Sequence, residues 1–260
     1  MIRSAAVVLV TIAAVCVNTS AQNAPASNAQ ALSYAAQSIA AMTQGSTISD
    51  VTLTGMATWT AGSDTETGAA TLLALGTGES SINLALSGGT RTEIRDASSG
   101  TPRGKWTNQT GATGMFSFHN CQTDAAWFFP ALSSLTAGPN IVLSYVGPET
   151  RNGESVQHLR SYVYSPSSTS APSFQQLSAE DFYLDATTLL PSAVTFSTHP
   201  DNNAANNVSV EVDFSNYQAV NGAVVPMHVQ KYLQGTLQID LTVSSAAFNT
   251  GIALSHFTIN

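Results

Sequence analysis

The stretch Val51-Thr52-Leu53-Thr54-Gly55-Met56-Ala57-Thr58-Trp59-Thr60 decides the fold. Val51, Leu53, Gly55, Ala57 and Trp59 alternate with Thr52, Thr54, Met56, Thr58 and Thr60, the period of two that turns one face of a strand to a core and the other to water. Threonine and tryptophan also suit a pleated, half-buried surface. The rhythm continues downstream. Gly62-Ser63-Asp64 turns the chain, Ala70 to Leu75 form a second strand, and Ile82, Leu84 and Leu86 alternate through a third. Gly88-Gly89 turns again into Thr90 to Asp96, and Lys105-Trp106-Thr107 and Met115-Phe116-Ser117-Phe118 supply two shorter strands. Turn signals recur at roughly 8–12 residues, which predicts an antiparallel meander rather than a parallel α/β sheet.

Upstream, Leu32, Ala35, Ala36, Ile39 and Met42 recur at three- and four-residue spacing. That predicts an amphipathic helix from Asn28 to Thr43, with Ser27 or Asn28 as its N-cap, Gly45 just past its end, and this apolar face buried.

Past Asn120 the strand pattern breaks. Residues from Thr123 to Leu135 predict a short central helical segment, capped by Thr123 and interrupted at Pro130. Trp127-Phe128-Phe129 is the densest apolar cluster in the chain. Such a segment either plugs the open side of a curved sheet with ordinary core or lines an apolar cavity, and pattern alone leaves both open. Strands resume at Ile141 to Val146, and Asn152-Gly153 is the strongest short hairpin signal present. Ser155 to Tyr164 returns with Val156, His158, Arg160, Tyr162 and Tyr164 on one face and Leu159 and Val163 on the other. Pro166 to Pro172 reads as a surface loop within one domain, since composition does not change across it. Five more strands follow: Phe182 to Asp185, Ala193 to Thr198, Val208 to Phe214, Val224 to Tyr232 and Leu237 to Val243. Leu190-Pro191, Asp201 to Asn207, Asn221-Gly222 and Gln234-Gly235 turn between them.

The first residues read as a secretory leader. After Met1-Ile2-Arg3 an apolar run from Ala5 to Val17 is too short to span a bilayer as a helix, and Thr19-Ser20-Ala21 offers small residues for cleavage after Ala21. Residues 1–21 are therefore expected to be a cleaved signal peptide and 22–260 a single domain, in the periplasm or outside the cell. Val15 stands where a lipoprotein cleavage site needs a small residue, so Cys16 belongs to the leader. Cys121 is then the one cysteine of the mature chain, which excludes an internal disulfide and favours a buried small hydrophobe. His119 lies two residues away, on the same face if the segment is a strand.

Lys and Arg total 8 against 16 Asp and Glu; without Arg3 the mature balance is 7 against 16, a net charge of −9. An acidic chain with scattered basic residues has no footprint for nucleic acid. No nucleophile elbow, His-Glu-x-x-His, phosphate loop or paired-cysteine motif is present. His119, His158, His199, His228 and His256 are not spaced as metal ligands, and Glu180, Asp181 and Asp185 form the one local acidic cluster, with Asp185 claimed by a turn. The expectation is a non-enzyme, with no catalytic residue, no metal and no cofactor.

Two stretches carry a family resemblance. Phe182-Tyr183-Leu184-Asp185-Ala186-Thr187-Thr188-Leu189-Leu190-Pro191 is one, and Val212-Asp213-Phe214-Ser215-Asn216-Tyr217-Gln218-Ala219-Val220-Asn221-Gly222 with Val225-Pro226 is the other. With the N-terminal helix running into a long strand, they resemble the LolA-like superfamily of periplasmic lipid and lipoprotein carriers. The resemblance is sharp over 182–232 and covers most of the mature chain in layout. It implies an α+β fold, mainly antiparallel β: a strongly curved, incompletely closed sheet wrapped around the N-terminal helix and the central segment. It also implies a protein that binds a lipid, a lipidated protein or another amphiphile; a monomer that meets membrane or envelope proteins transiently is the expectation for its partners. Trp59, Leu73, Leu84, Trp106, Phe116, Trp127, Phe128, Phe129 and Tyr145 are the candidate cavity residues. The alternative is a structural or interaction module of the cell envelope, with a filled core and no small-molecule ligand.

Overall fold

A computed structural model describes residues 25–259 apart from 124, 137, 139 and 166–170. The leader, Met1 to Ala21, and residues 166–170 of the connector lie outside the described residues. Helix α1 (Ala29–Thr43) leads into a meander of β1 (Asp50–Ala61), β2 (Asp64–Leu75), β3 (Ser80–Leu86), β4 (Gly89–Asp96), β5 (Arg103–Thr107) and β6 (Thr113–Met115). An irregular segment with two 3-10 turns, Phe118–Cys121 and Pro130–Leu132, crosses to β7 (Ile141–Arg151) and β8 (Glu154–Val163). Helix α2 (Ala171–Leu177) precedes β9 (Glu180–Asp185), β10 (Pro191–Thr198), β11 (Val208–Val220), β12 (Ala223–Leu233) and β13 (Thr236–Phe248).

All 13 strands form one sheet in the order β6-β5-β4-β3-β2-β1-β13-β12-β11-β10-β9-β8-β7. Each neighbouring pair is antiparallel, and β1 with β13 joins the first meander to the second. The sheet curls without closing, with β6 and β7 at its two edges. This is the curved, open α+β architecture that the resemblance implied. Hairpins Asn152-Gly153 and Asn221-Gly222 have positive φ at both residues (52° and 86°, 50° and 84°), the primed turns that match strand twist. Pro226 sits in β12 before its pairing with β13 begins at His228, where a missing N–H breaks no ladder on that side.

Four local expectations are corrected. Asn28 does cap α1, its Oδ1 accepting from the N–H groups of Gln30 and Ala31. The inward row, however, is Ala31, Ala35, Ser38 and Met42, while Leu32 and Ala36 are exposed. The helix lies across β7 and β12, and small residues on its contact row let it come close. Among its described residues the central segment is not α-helical: residues 125–128 are turns and Pro130–Leu132 winds as 3-10. Pro130 lacks the N–H that a helix would use, and Trp127, Phe128 and Phe129 are all buried, which a single helix face would not allow. The tail of the Pro166–Pro172 loop belongs to α2. The strand at Met115 ends there, and the turn Phe118–Cys121 takes His119 and Cys121 off any shared strand face.

The concave face holds the core. Phe128, Phe129, Phe182, Leu135, Leu143, Leu159 and Leu184 are fully buried beneath α1 and the central segment. The N–H of Asn28 donates to the Leu143 carbonyl at 2.8 Å, and Ser27 Oγ accepts from the Leu143 N–H at 3.0 Å, pinning the start of α1 to β7. Among the described residues no helix is long and apolar enough to cross a membrane.

Candidate functional site

Alternation fixes which side chains face inward. On β3 they are Ser80, Ile82, Leu84 and Leu86, and register carries that row to Arg95, Glu93 and Arg91 on β4. On β12 the inward row is Val225, Met227, Val229, Lys231 and Leu233, with Lys231 paired to Ile239 and Val212. Toward one end of the curl the inner face therefore changes from wholly apolar to apolar with charges.

A cleft of about 230 Å³ opens there, between β3 to β5 on one side and β10 to β13 on the other. Ile82, Phe116, Ala125, Trp127, Phe196, Val210 and Leu233 give it apolar walls, and Glu93, Arg95, Asn120, Thr198, Lys231 and Gln238 give it polar points. Lys231 Nζ stands 4.5 Å from the centroid of the Trp127 ring. The Arg95 guanidinium donates to the carbonyls of Cys121 and Thr123, so this charge holds the central segment in place. Gly104 is needed for its small size: a Cβ there would meet the Phe116 ring at 2.5 Å and Cys121 Sγ at 3.2 Å.

Asn120 fastens the same segment to the opposite wall. Its amide donates to the His199 carbonyl at 2.8 Å, and its oxygen accepts from Thr198 Oγ1 at 2.8 Å and the His199 N–H at 2.7 Å. Ser117 Oγ adds a bond to Asp201 at 2.6 Å. The imidazoles of His119 and His199 meet edge to face at 5.8 Å, and burial pushes His199 below the usual histidine range. Burial likewise pushes the Cys121 thiol up, against the pull of Arg95, which keeps it protonated and unreactive.

The nine candidate cavity residues are dispersed. Phe116 and Trp127 line the cleft. Trp59 and Leu84 line a recess of about 40 Å³ beside it, and Trp106 shares another of about 160 Å³ with Phe116. Phe128 and Phe129 are packed in the core. Tyr145 stacks against Tyr34 at 5.2 Å and donates to Gln157 Oε1 at 2.6 Å. Leu73 is half-buried on the strand face opposite Leu72 and Ala74. Sequence reading passed over Ile82, Phe196, Val210, Leu233 and Lys231. Their alternation was visible, but which end of the sheet stays open depends on where the central segment lies.

The titratable groups cluster on the outer face. His158 stands between two carboxylates, Nδ1 2.5 Å from Glu149 Oε1 and Nε2 2.7 Å from Asp181 Oδ1. Arg160 grips Asp181 through two bonds of 2.8 and 2.9 Å. Arg151 pairs with Glu211 and lies 4.3 Å over the Tyr183 ring. Burial, with Glu211 alongside, pushes the Asp213 carboxyl up to about 6. In the Glu180–Asp181–Asp185 cluster, Glu180 faces inward beside Phe182, Asp181 is paired outward, and Asp185 closes its turn. The N–H of Thr188, 2.7 Å away, holds Asp185 below the usual carboxylate range. The Arg160–Asp181 and Arg151–Glu211 pairs are salt bridges on this outer face. Among the described residues no group of three or more His, Cys, Asp or Glu is arranged to hold a metal ion.

No protein-family model matches the chain, and no curated protein matches its sequence. Solved structures do match. A domain from Vibrio parahaemolyticus named for outer-membrane lipoprotein sorting is similar over 87% of this chain and 95% of its own, with 14% identity and a TM-score of 0.51. A LolA superfamily protein from Nitrosomonas europaea covers 88% and 97%, at 10% identity and a TM-score of 0.51. A DUF1329 family protein from Desulfovibrio piger covers 88% and 96%, at 11% identity and 0.54. The chain has the LolA-like fold.

Proposed function

We propose that this chain is an exported, non-enzymatic binding protein that holds an amphiphile, a lipid or the acyl chain of a lipidated protein, with its tail in the cleft beside Trp127. The cleft carries this reading: its walls on the concave face are mainly apolar, and the chain's own side chains leave it open. Each methylene moved from water into it contributes about 0.8 kcal/mol. At about 230 Å³ it is smaller than the roughly 300–1,000 Å³ of sites that enclose drug-sized ligands, which suits one chain rather than several. A leader read at residues 1–21 supports a location in the periplasm or outside the cell, and on this reading the protein acts as a monomer and meets membrane or envelope proteins transiently. The name of the Vibrio domain, lipoprotein sorting, describes the same class of task. Mass spectrometry of organic extracts from protein purified without detergent tests the reading. An amphiphile recovered near one per chain is expected; an empty extract from protein saturated with candidate lipids would defeat it.

A second reading rests on a different observation. Phe128, Phe129 and Leu135 are fully buried, so most of the concave face is filled by the protein itself. That is what an envelope interaction module without a ligand would need. Cross-linking that recovers one protein partner, together with an empty extract, would favour it.

A further inference from the structure

The proposed amphiphile site contains a charge with no ion-pair partner among the described residues, and this points to the ligand's head. Resting on the binding reading above, we infer that the cleft selects a single-chain amphiphile with one negative charge, a fatty-acid-like carboxylate, whose head pairs with Lys231. Lys231 interrupts an otherwise apolar inward row, Val225, Met227, Val229 and Leu233. A lysine there lines the cleft, and its ammonium carries three donors and no acceptor. Among the described residues no carboxylate forms an ion pair with it, and its ammonium lies 4.5 Å from the centroid of the Trp127 ring, a contact that uses none of its hydrogen-bond donors.

The neighbouring charges set the valence. Arg95 is committed to the carbonyls of Cys121 and Thr123, so it is not a second anchor. Glu93 lines the same cleft from β4 and repels a second negative charge. One free ammonium facing one carboxylate-bearing wall suits a monoanion better than a phosphate dianion. The tail then lies along Ile82, Phe196, Val210 and Leu233, below the Trp127 ring. A lysine supplies this as a compact point charge, without the forked geometry by which arginine selects planar bidentate partners.

Three ten-carbon probes separate head from tail: decanoate, decanol and decyltrimethylammonium, each below its micellar concentration, followed by Trp fluorescence and calorimetry. Decanoate should bind roughly tenfold tighter than decanol, and the cation weakest. Lys231→Met keeps an unbranched apolar stem and should bring decanoate down to the affinity of decanol, while Lys231→Arg retains the preference. Equal affinity for decanoate and decanol, or a preference that survives Lys231→Met, would overturn the assignment of the head and leave the binding site standing. Binding of none of the three would overturn both.

Discussion

The two halves of the concave face are filled differently. Under α1 and the central segment, Phe128, Phe129, Phe182 and Leu135 are fully buried in the core. At the other end, Trp127, Phe196 and Leu233 border a cleft whose rim carries Glu93, Arg95 and Lys231. Both halves come from one sheet with one alternation pattern. What differs is the second layer. Helix α1 and the Phe128-Phe129 pair cover much of one half, whereas the segment from Phe116 to Trp127, held by the Arg95 guanidinium at its Cys121 carbonyl and by its own Asn120 amide at the His199 carbonyl, reaches only partway across the other. A curved open sheet therefore yields a core or a site according to how much chain is laid into it.

The contrast can be broken most sharply at Phe129. Phe129→Ala removes a fully buried ring that packs 5.5 Å from Phe248 and should cost about 3–5 kcal/mol, while Leu233→Ala at the cleft should cost about 1–2 kcal/mol. Urea midpoints measure both; similar losses would mean that the cleft wall is ordinary core. Next in size is Gly104→Ala. Its Cβ would press on the Phe116 ring and Cys121 Sγ, with an expected cost of about 2 kcal/mol and a loss of chain binding in the same protein. A variant that still binds the chain would detach the site from this end of the sheet.

How far was this visible in the sequence? The strands were, because Thr52 to Trp59 and Ile82 to Leu86 alternate without interruption and Asn152-Gly153 and Asn221-Gly222 name their turns. Their lengths were not: β11 runs to Val220 and β13 to Phe248, through polar residues whose place in a ladder is set by neighbouring strands. The site was hardly legible. Trp127 and Phe116 stood out as aromatics, but Lys231 is one lysine in a strand until register shows that it points inward. Leu32 and Ala36 misled for the same reason, since the row that a helix buries depends on what it crosses.

Two smaller tests concern the outer face, where paired charges rather than packing set the energies. Asp213 has its carboxyl pushed up to about 6, above the roughly 3.9 of an unfolded aspartate, so its contribution is fully present below about pH 4 and lost as pH rises through 6. Asp213→Asn should therefore stabilise the protein at pH 7, by about 1 kcal/mol after allowance for solvent screening, with little effect at pH 4. Asp185 behaves with the opposite sign. Its carboxyl is held below the usual range by the Thr188 N–H, so its contribution is present above about pH 4 and lost as pH falls further. Asp185→Ala should cost about 1 kcal/mol at neutral pH by removing the bonds that shape the turn, read from urea midpoints compared at pH 7 and pH 3. Neither substitution should change binding in the cleft.

The central claim is that the uncovered half of the sheet, and not the half beneath α1, receives a chain. A crystal structure with a fatty acid brominated at its tail end locates that chain directly through the bromine's anomalous signal. The account predicts bromine among Ile82, Phe196, Val210 and Leu233, with the carboxylate at Lys231. Bromine between α1 and β12, or no bound chain at a saturating concentration, would contradict it.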